Sequence, residues 1–166
     1  MLISGKALKY GDDINTDLII AGKYTKTLDF KSLADHVMED LDSDFRKKLS
    51  PGDFVVGGEN FGCGSSREQA PVALKHVGVG CVIAKSFARI FFRNAINIGL
   101  PLIECDTDMI QDGDRLECRL GSSVILNVTQ NKEISIEPLP TVMVRILAEG
   151  GLVAYMKKHA GYEDIL

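Results

Sequence analysis

The chain has 166 residues, 45% of them hydrophobic and 25% charged, with a formal net charge of −4 at pH 7. Length and composition suit one globular domain, residues 1–166, that buries a core without disulfide staples. A net acidic chain with no basic stripe excludes a general nucleic-acid binder. No basic stretch at the N-terminus precedes a long apolar one, and no apolar run could span a bilayer, so the expected location is cytoplasmic.

Residues 2–10 alternate loosely and predict a strand, followed by a polar turn of Asp, Asn and Gly over 11–17. Leu18, Ile19 and Ile20 form a short buried run, and 21–27 form a second polar loop. Asp29 is placed to cap a helix over 30–40, whose apolar stripe is Phe30, Leu33, Ala34, Val37, Met38 and Leu41. His36 falls off that stripe and reads as surface. Residues 41–50 are charged and irregular, with Arg46, Lys47 and Lys48 on a solvated face, and Pro51-Gly52-Asp53 marks a turn.

Phe54, Val55 and Val56 then predict a strand, and 69–76 a helix. A continuous apolar run at 81–84 reads as a strand covered on both faces. A second helix is expected over 87–98, capped by Ser86 and stopped by Gly99, with another strand over 100–104. Strand and helix alternating from 53 to 104 predict an α/β fold with parallel strands. Short strands around 115–118, 124–126 and 133–136 predict an added antiparallel meander, and 142–148 and 152–159 read as helix.

Four cysteines, Cys63, Cys81, Cys105 and Cys118, are widely spaced and form no CxxC pair, so no metal site is expected of this chain. Cys81, Cys105 and Cys118 read as reduced thiols packed in or near strands. Cys63 reads as a small residue in a tight bend.

The most informative stretch is Gly57-Gly58-Glu59-Asn60-Phe61-Gly62-Cys63-Gly64-Ser65-Ser66-Arg67-Glu68, a strand-to-helix turn. Glycines let another group approach the backbone. A helix start offers unpaired N–H groups to an anion, and an arginine adds a fork that matches a carboxylate or phosphate. Anion binding is therefore expected. The competing reading is a capping box from Ser65 to Glu68, which Pro71 complicates. The lysine of a phosphate loop, the third glycine of a dinucleotide fingerprint and a GxSxG elbow are all missing. Asp12, Asp13 and Asp17 read as turn residues before cation ligands. Arg89 and Arg93, one helical turn apart, face either a carboxylate or water.

Three segments together carry a resemblance: Gly-Asp-Asp-Ile-Asn-Thr-Asp at 11–17, Gly-Glu-Asn-Phe-Gly-Cys-Gly-Ser-Ser-Arg-Glu at 58–68, and Ala-Lys-Ser-Phe-Ala-Arg-Ile at 84–90. In that order they resemble the aconitase-type swivel domain, a β/β/α unit. The free-standing chain is similar to the small subunits of 3-isopropylmalate dehydratases and of the related homoaconitases. The resemblance implies reversible dehydration of a hydroxy di- or tricarboxylic acid, in leucine biosynthesis for the isopropylmalate type. It implies a [4Fe–4S] cluster on a separate large subunit and none bound by this chain. It also implies roles: Ser65 as general base, Asp17 orienting the site, and Ser66 and Arg67 holding a substrate carboxylate where Gly64 lets it approach. Lys26 lies in the loop that in this family meets the variable group of the substrate. It departs from both the arginine of homoaconitase-type chains and the apolar residue of isopropylmalate-type chains. Its ammonium would bind a carboxylate, or its stem would lie along an isopropyl group. The alternative of another class is a non-catalytic di-acid-binding regulatory module on the same fold.

Overall fold

The structure is a computed structural model and describes residues 1–27 and 29–159. In chain order it runs β1 (Leu2–Lys9), α1 (Thr16–Ile19), a 3-10 turn (Gly22–Tyr24), α2 (Phe30–Asp35), α3 (Phe45–Lys48), β2 (Phe54–Val56) and α4 (Gln69–Val77). It continues through β3 (Cys81–Ala84), α5 (Arg89–Ile98), β4 (Leu102–Glu104), a 3-10 turn (Thr107–Met109), β5 (Arg115–Arg119), β6 (Val124–Asn127), β7 (Lys132–Ser135), α6 (Thr141–Ala148) and α7 (Leu152–His159). One seven-stranded sheet has the order β4-β3-β2-β1-β5-β6-β7. The pairs from β4 to β1 are parallel and those from β1 to β7 antiparallel, so the expected α/β core and the expected meander share β1.

The central strands β2 and β3 are apolar throughout, as suits strands covered on both faces. Val55, Val82 and Leu8 join a core with Leu33, Leu74, Phe61 and Phe91. Their neighbours Phe54, Val56, Cys81 and Ile83 point the other way, to a core with Ile96, Leu147 and Tyr155. A period of two thus splits each strand between two cores. Lys75, partly buried, ties the helices together: its ammonium donates to the Ile98 carbonyl at the end of α5 and to the Gly150 carbonyl after α6.

Several boundaries differ from the sequence reading for identifiable reasons. The helix expected over 30–40 stops at Asp35, because Met38 takes a positive φ of 61° and gives its N–H to the Ile19 carbonyl at 2.7 Å. Val37 and Met38 remain buried, held by tertiary contact. His36 is half-buried, stacked on Tyr24 at 3.7 Å and paired with Glu39 at 2.9 Å. The run at Leu18 becomes the single-turn helix α1, capped by the Asn15 side chain. Arg46, Lys47 and Lys48 are solvated as expected, each paired with an aspartate. Cys81 and Cys118 are buried in β3 and β5, Cys105 is half-buried just past β4, and all three are free thiols.

Asp114 anchors the meander. Its buried carboxylate accepts from the Gln111 N–H at 2.8 Å, Asn127 Nδ2 at 2.7 Å and Gln130 Nε2 at 2.6 Å. Burial pushes its pKa up, but these donors outweigh burial and hold it below the ordinary value. A depressed folded pKa contributes stability above the unfolded value near 3.9, and this is lost as pH falls through the folded one. Asp114→Asn should cost about 1–3 kcal/mol at pH 7 and flatten the acid side of the stability curve, as read by urea unfolding from pH 7 to pH 3.

Candidate active site

The three segments that carry the resemblance follow the ends of three adjacent parallel strands, β1, β2 and β3. Loops at the carboxyl ends of parallel strands are where open α/β sheets bind ligands. Here the loops are also joined to one another by their backbones. Asp13 N–H donates to the Glu59 carbonyl at 2.9 Å, Gly62 N–H to Ile14 at 2.8 Å, and Thr16 N–H to Cys63 at 2.9 Å. On the other side Phe61 N–H donates to the Ser86 carbonyl and Ala88 N–H to the Phe61 carbonyl, both at 2.9 Å. Side chains reinforce the joint. Asp12 accepts from the Glu59 N–H at 2.7 Å, Asp13 from Asn60 Nδ2 at 2.9 Å, and Thr16 Oγ1 donates to the Ser65 carbonyl at 2.7 Å. Asp12 and Asp13 are thus loop clamps.

This joint moves the start of α5. The sequence reading began the helix at 87 with Ser86 as its cap, but the helix begins at Arg89. The backbone of 86–88 is extended to pair with Phe61. Ser86 instead accepts from the Asn60 N–H at 2.8 Å and donates to Glu59 Oε2 at 2.7 Å.

The capping-box reading of Ser65 is not realised. Helix α4 begins at Gln69, its N-terminal flank is Glu68, and no side chain caps it. Pro71 therefore sits in the first turn, where its missing N–H is no loss. Among the described residues, no acceptor is recorded for the N–H groups of Ser65, Ser66, Arg67 and Glu68. Such a run of open donors at a helix start favours an anion.

A cavity of about 310 Å³ lies against these loops, lined by Thr16, Gly62, Gly64, Ser66, Arg67, Ala88, Arg89, Ile90, Phe91 and Asn94. Of the residues singled out from sequence, Gly64, Ser66, Arg67 and Arg89 line it. Ser65 is exposed beside it, tethered through its carbonyl to Thr16. Asp17, 59% exposed at the side chain, pairs with Arg67 across 2.5 Å, and the same Arg67 nitrogen donates to the Ile20 carbonyl at 3.3 Å. Lys26 is exposed in the turn after Gly22–Tyr24 and does not line the cavity. Its loop reaches the site indirectly: Gln69 donates to the Thr25 carbonyl at 3.3 Å, and Gly22 packs against the Arg67 guanidinium. Thr16 and Asn94 escaped sequence reasoning, since a threonine in a polar turn and an asparagine inside a helix carry no motif of their own.

Cys63 is half-buried in the bend, and burial first, then the Asp13 carboxylate, pushes its thiol pKa up. A thiol with a raised pKa is a poor nucleophile or metal ligand. Among the described residues no group of three or more His, Cys, Asp or Glu side chains could hold a metal ion. The donor set of the described residues does not fit an iron–sulfur cluster. What the site offers is hydroxyls, open backbone donors and two arginines, a set suited to an organic anion.

Residues 10–107 match the family described as Aconitase C-terminal domain. The 3-isopropylmalate dehydratase small subunit 2 of Archaeoglobus fulgidus is 58% identical over 160 residues, covering 96% of this chain and 97% of that protein. The 3-isopropylmalate dehydratase small subunit of Thermodesulfovibrio yellowstonii is 51% identical over 167 residues, covering 99% of each. A crystal structure of 3-isopropylmalate dehydratase from Methanocaldococcus jannaschii is similar with a TM-score of 0.92 at 52% identity, covering 96% of each chain.

Two glycines of the turn differ in what they tolerate. Gly62 has φ 78°, and a Cβ there would lie 2.2 Å from Phe91 Cγ. Gly64 has φ 87°, with its nearest neighbour Asn15 Cβ at 3.5 Å. Gly62→Ala should cost about 2–4 kcal/mol, backbone strain plus overpacking, and Gly64→Ala about 1–2 kcal/mol from strain alone. Urea unfolding of the two variants checks the order.

Proposed function

Because this chain belongs to the aconitase C-terminal domain family, and within it to the 3-isopropylmalate dehydratase small subunits, we propose that it acts as a single swivel domain closing on a separate large subunit. The complex interconverts 3-isopropylmalate and 2-isopropylmalate by loss and return of water, a hydro-lyase step of leucine biosynthesis. The observation that carries this reading is the cavity itself, where open backbone donors, Ser66 and Arg67 converge beside Ser65 at the ends of three parallel strands.

The family's chemistry uses an iron–sulfur cluster, and we assign that cluster to the large subunit, since this chain's donors do not fit it. Ser65 removes the proton next to a substrate carboxylate. A serine is a poor base in water, and its alkoxide needs positive potential in a closed, water-excluding site. The open N–H groups at 65–68 and the Arg67 guanidinium supply it. Ser66 and Arg67 hold one carboxylate, which Gly64 lets come near the backbone. Asp17 orients Arg67 through their ion pair. An ion pair this exposed contributes little to stability, so a substrate carboxylate can share or displace it without unfolding the loop. Lys26 lies on the loop that Gln69 fastens to the site, and there it meets the variable group of the substrate.

The isolated chain should be inactive and regain dehydration when the cluster-bearing large subunit is added. Within the complex, Ser65→Ala should lower turnover about 100- to 10,000-fold with assembly intact. Undiminished turnover removes Ser65 from the base role. Di-acid binding by the chain alone, matching that of the complex, points instead to a regulatory module. Lys26→Val should change the ratio of kcat/KM between branched and unbranched hydroxy di-acids, and an unchanged ratio removes Lys26 from specificity.

A further inference from the structure

We infer that Arg89, at the first turn of α5, is the binding residue for the second carboxylate of the di-acid. The inference rests on the reading of the cavity as the substrate site.

It starts from charge. A hydroxy di-acid brings two negative charges into a site that excludes water, and a desolvated carboxylate needs a paired cation. Arg67 already faces the Asp17 carboxylate, and one of its nitrogens is shared between Asp17 and the Ile20 carbonyl. With Asp17 and one substrate carboxylate on it, Arg67 leaves no positive charge for the second carboxylate. Arg89 lines the same cavity from α5, and among the described residues it has no carboxylate within ion-pairing distance and no recorded hydrogen bond. Lys85, just before, is no substitute, because it pairs with Asp108 at 2.7 Å. Asn94, one turn further along α5, lines the cavity too and adds an amide to the same wall.

The placement of Arg89 follows from the loop joint. Because Phe61 draws residues 86–88 into an extended pairing, α5 begins at Arg89 rather than at 87. This sets the arginine at the cavity wall beside Phe91, under the glycine turn. Arg93, one turn on, does not line the cavity, although both arginines are exposed. The pair of arginines that sequence left equivalent is thus divided, with one on the cavity wall and one off it.

The test uses the assembled enzyme with its large subunit. Arg89→Gln should raise KM for the hydroxy di-acid about 10- to 100-fold, the range of a charge-assisted hydrogen bond, with kcat within a few-fold. The inhibition constant of 2-isopropylsuccinate, which keeps both carboxylates and lacks the hydroxyl, should rise by the same factor. Arg89→Lys should recover part of the loss, and Arg93→Gln should change neither constant. An unchanged KM and inhibition constant in Arg89→Gln overturns the inference, as does a loss that tracks dissociation of the subunits in sedimentation. If Ser65→Ala abolishes turnover while Arg89→Gln leaves KM alone, only the assignment of Arg89 fails. If neither variant has an effect, the cavity is not the substrate site.

Discussion

Everything at the site depends on backbone hydrogen bonds between three loops. Gly62 and Thr16 tie the glycine turn to the loop after β1, and Phe61 and Ala88 tie it to the loop after β3. Each bond is worth about 1 kcal/mol net, but together they fix register in segments with no regular structure of their own. The conformation they impose requires Gly62, where φ is positive and Phe91 leaves no room for a Cβ. The same joint sets where α4 and α5 begin, and with that which N–H groups stay open and which arginine faces the cavity.

The sheet makes this joint possible. Parallel order β4-β3-β2-β1 brings three loop-bearing strand ends to one edge, and the two cores clamp the strands from both faces. The antiparallel meander hangs on the far side of β1, held through Asp114, and contributes no residue to the cavity. A rigid sheet with a loop-built rim suits the proposed role of a domain that presents one half of a site to a large subunit. The electrostatics agree. The described residues at the cavity offer donors and cations suited to an organic anion, and among them no group of His, Cys, Asp or Glu suits a metal.

Much of this was legible in the sequence. Continuous apolar runs at 54–56 and 81–84 identify strands buried on both faces, and turn residues separate the meander strands. The glycine turn suggests an anion site, because capping alone leaves its company of glycines and Arg67 without a purpose. What sequence could not supply was long-range. The end of α2 is decided by Met38 bonding to Ile19, and the start of α5 by pairing of 86–88 with Phe61. Local propensity contains neither contact. For the same reason Arg89 and Arg93 were indistinguishable, and Thr16 was invisible until its hydroxyl was seen holding the Ser65 carbonyl. Ser65's role as base came from family resemblance, with which the geometry is consistent.

We propose that Ser65, at the edge of this cavity, takes the proton from the carbon next to a substrate carboxylate. The most direct measurement is deuterium wash-out. Substrate labelled at that carbon is incubated with the assembled complex in ordinary water, and loss of label is followed by mass spectrometry for wild type and Ser65→Ala. The account predicts that wash-out is lost in the variant while the complex still binds substrate. Wash-out at the wild-type rate would place the base elsewhere and contradict it.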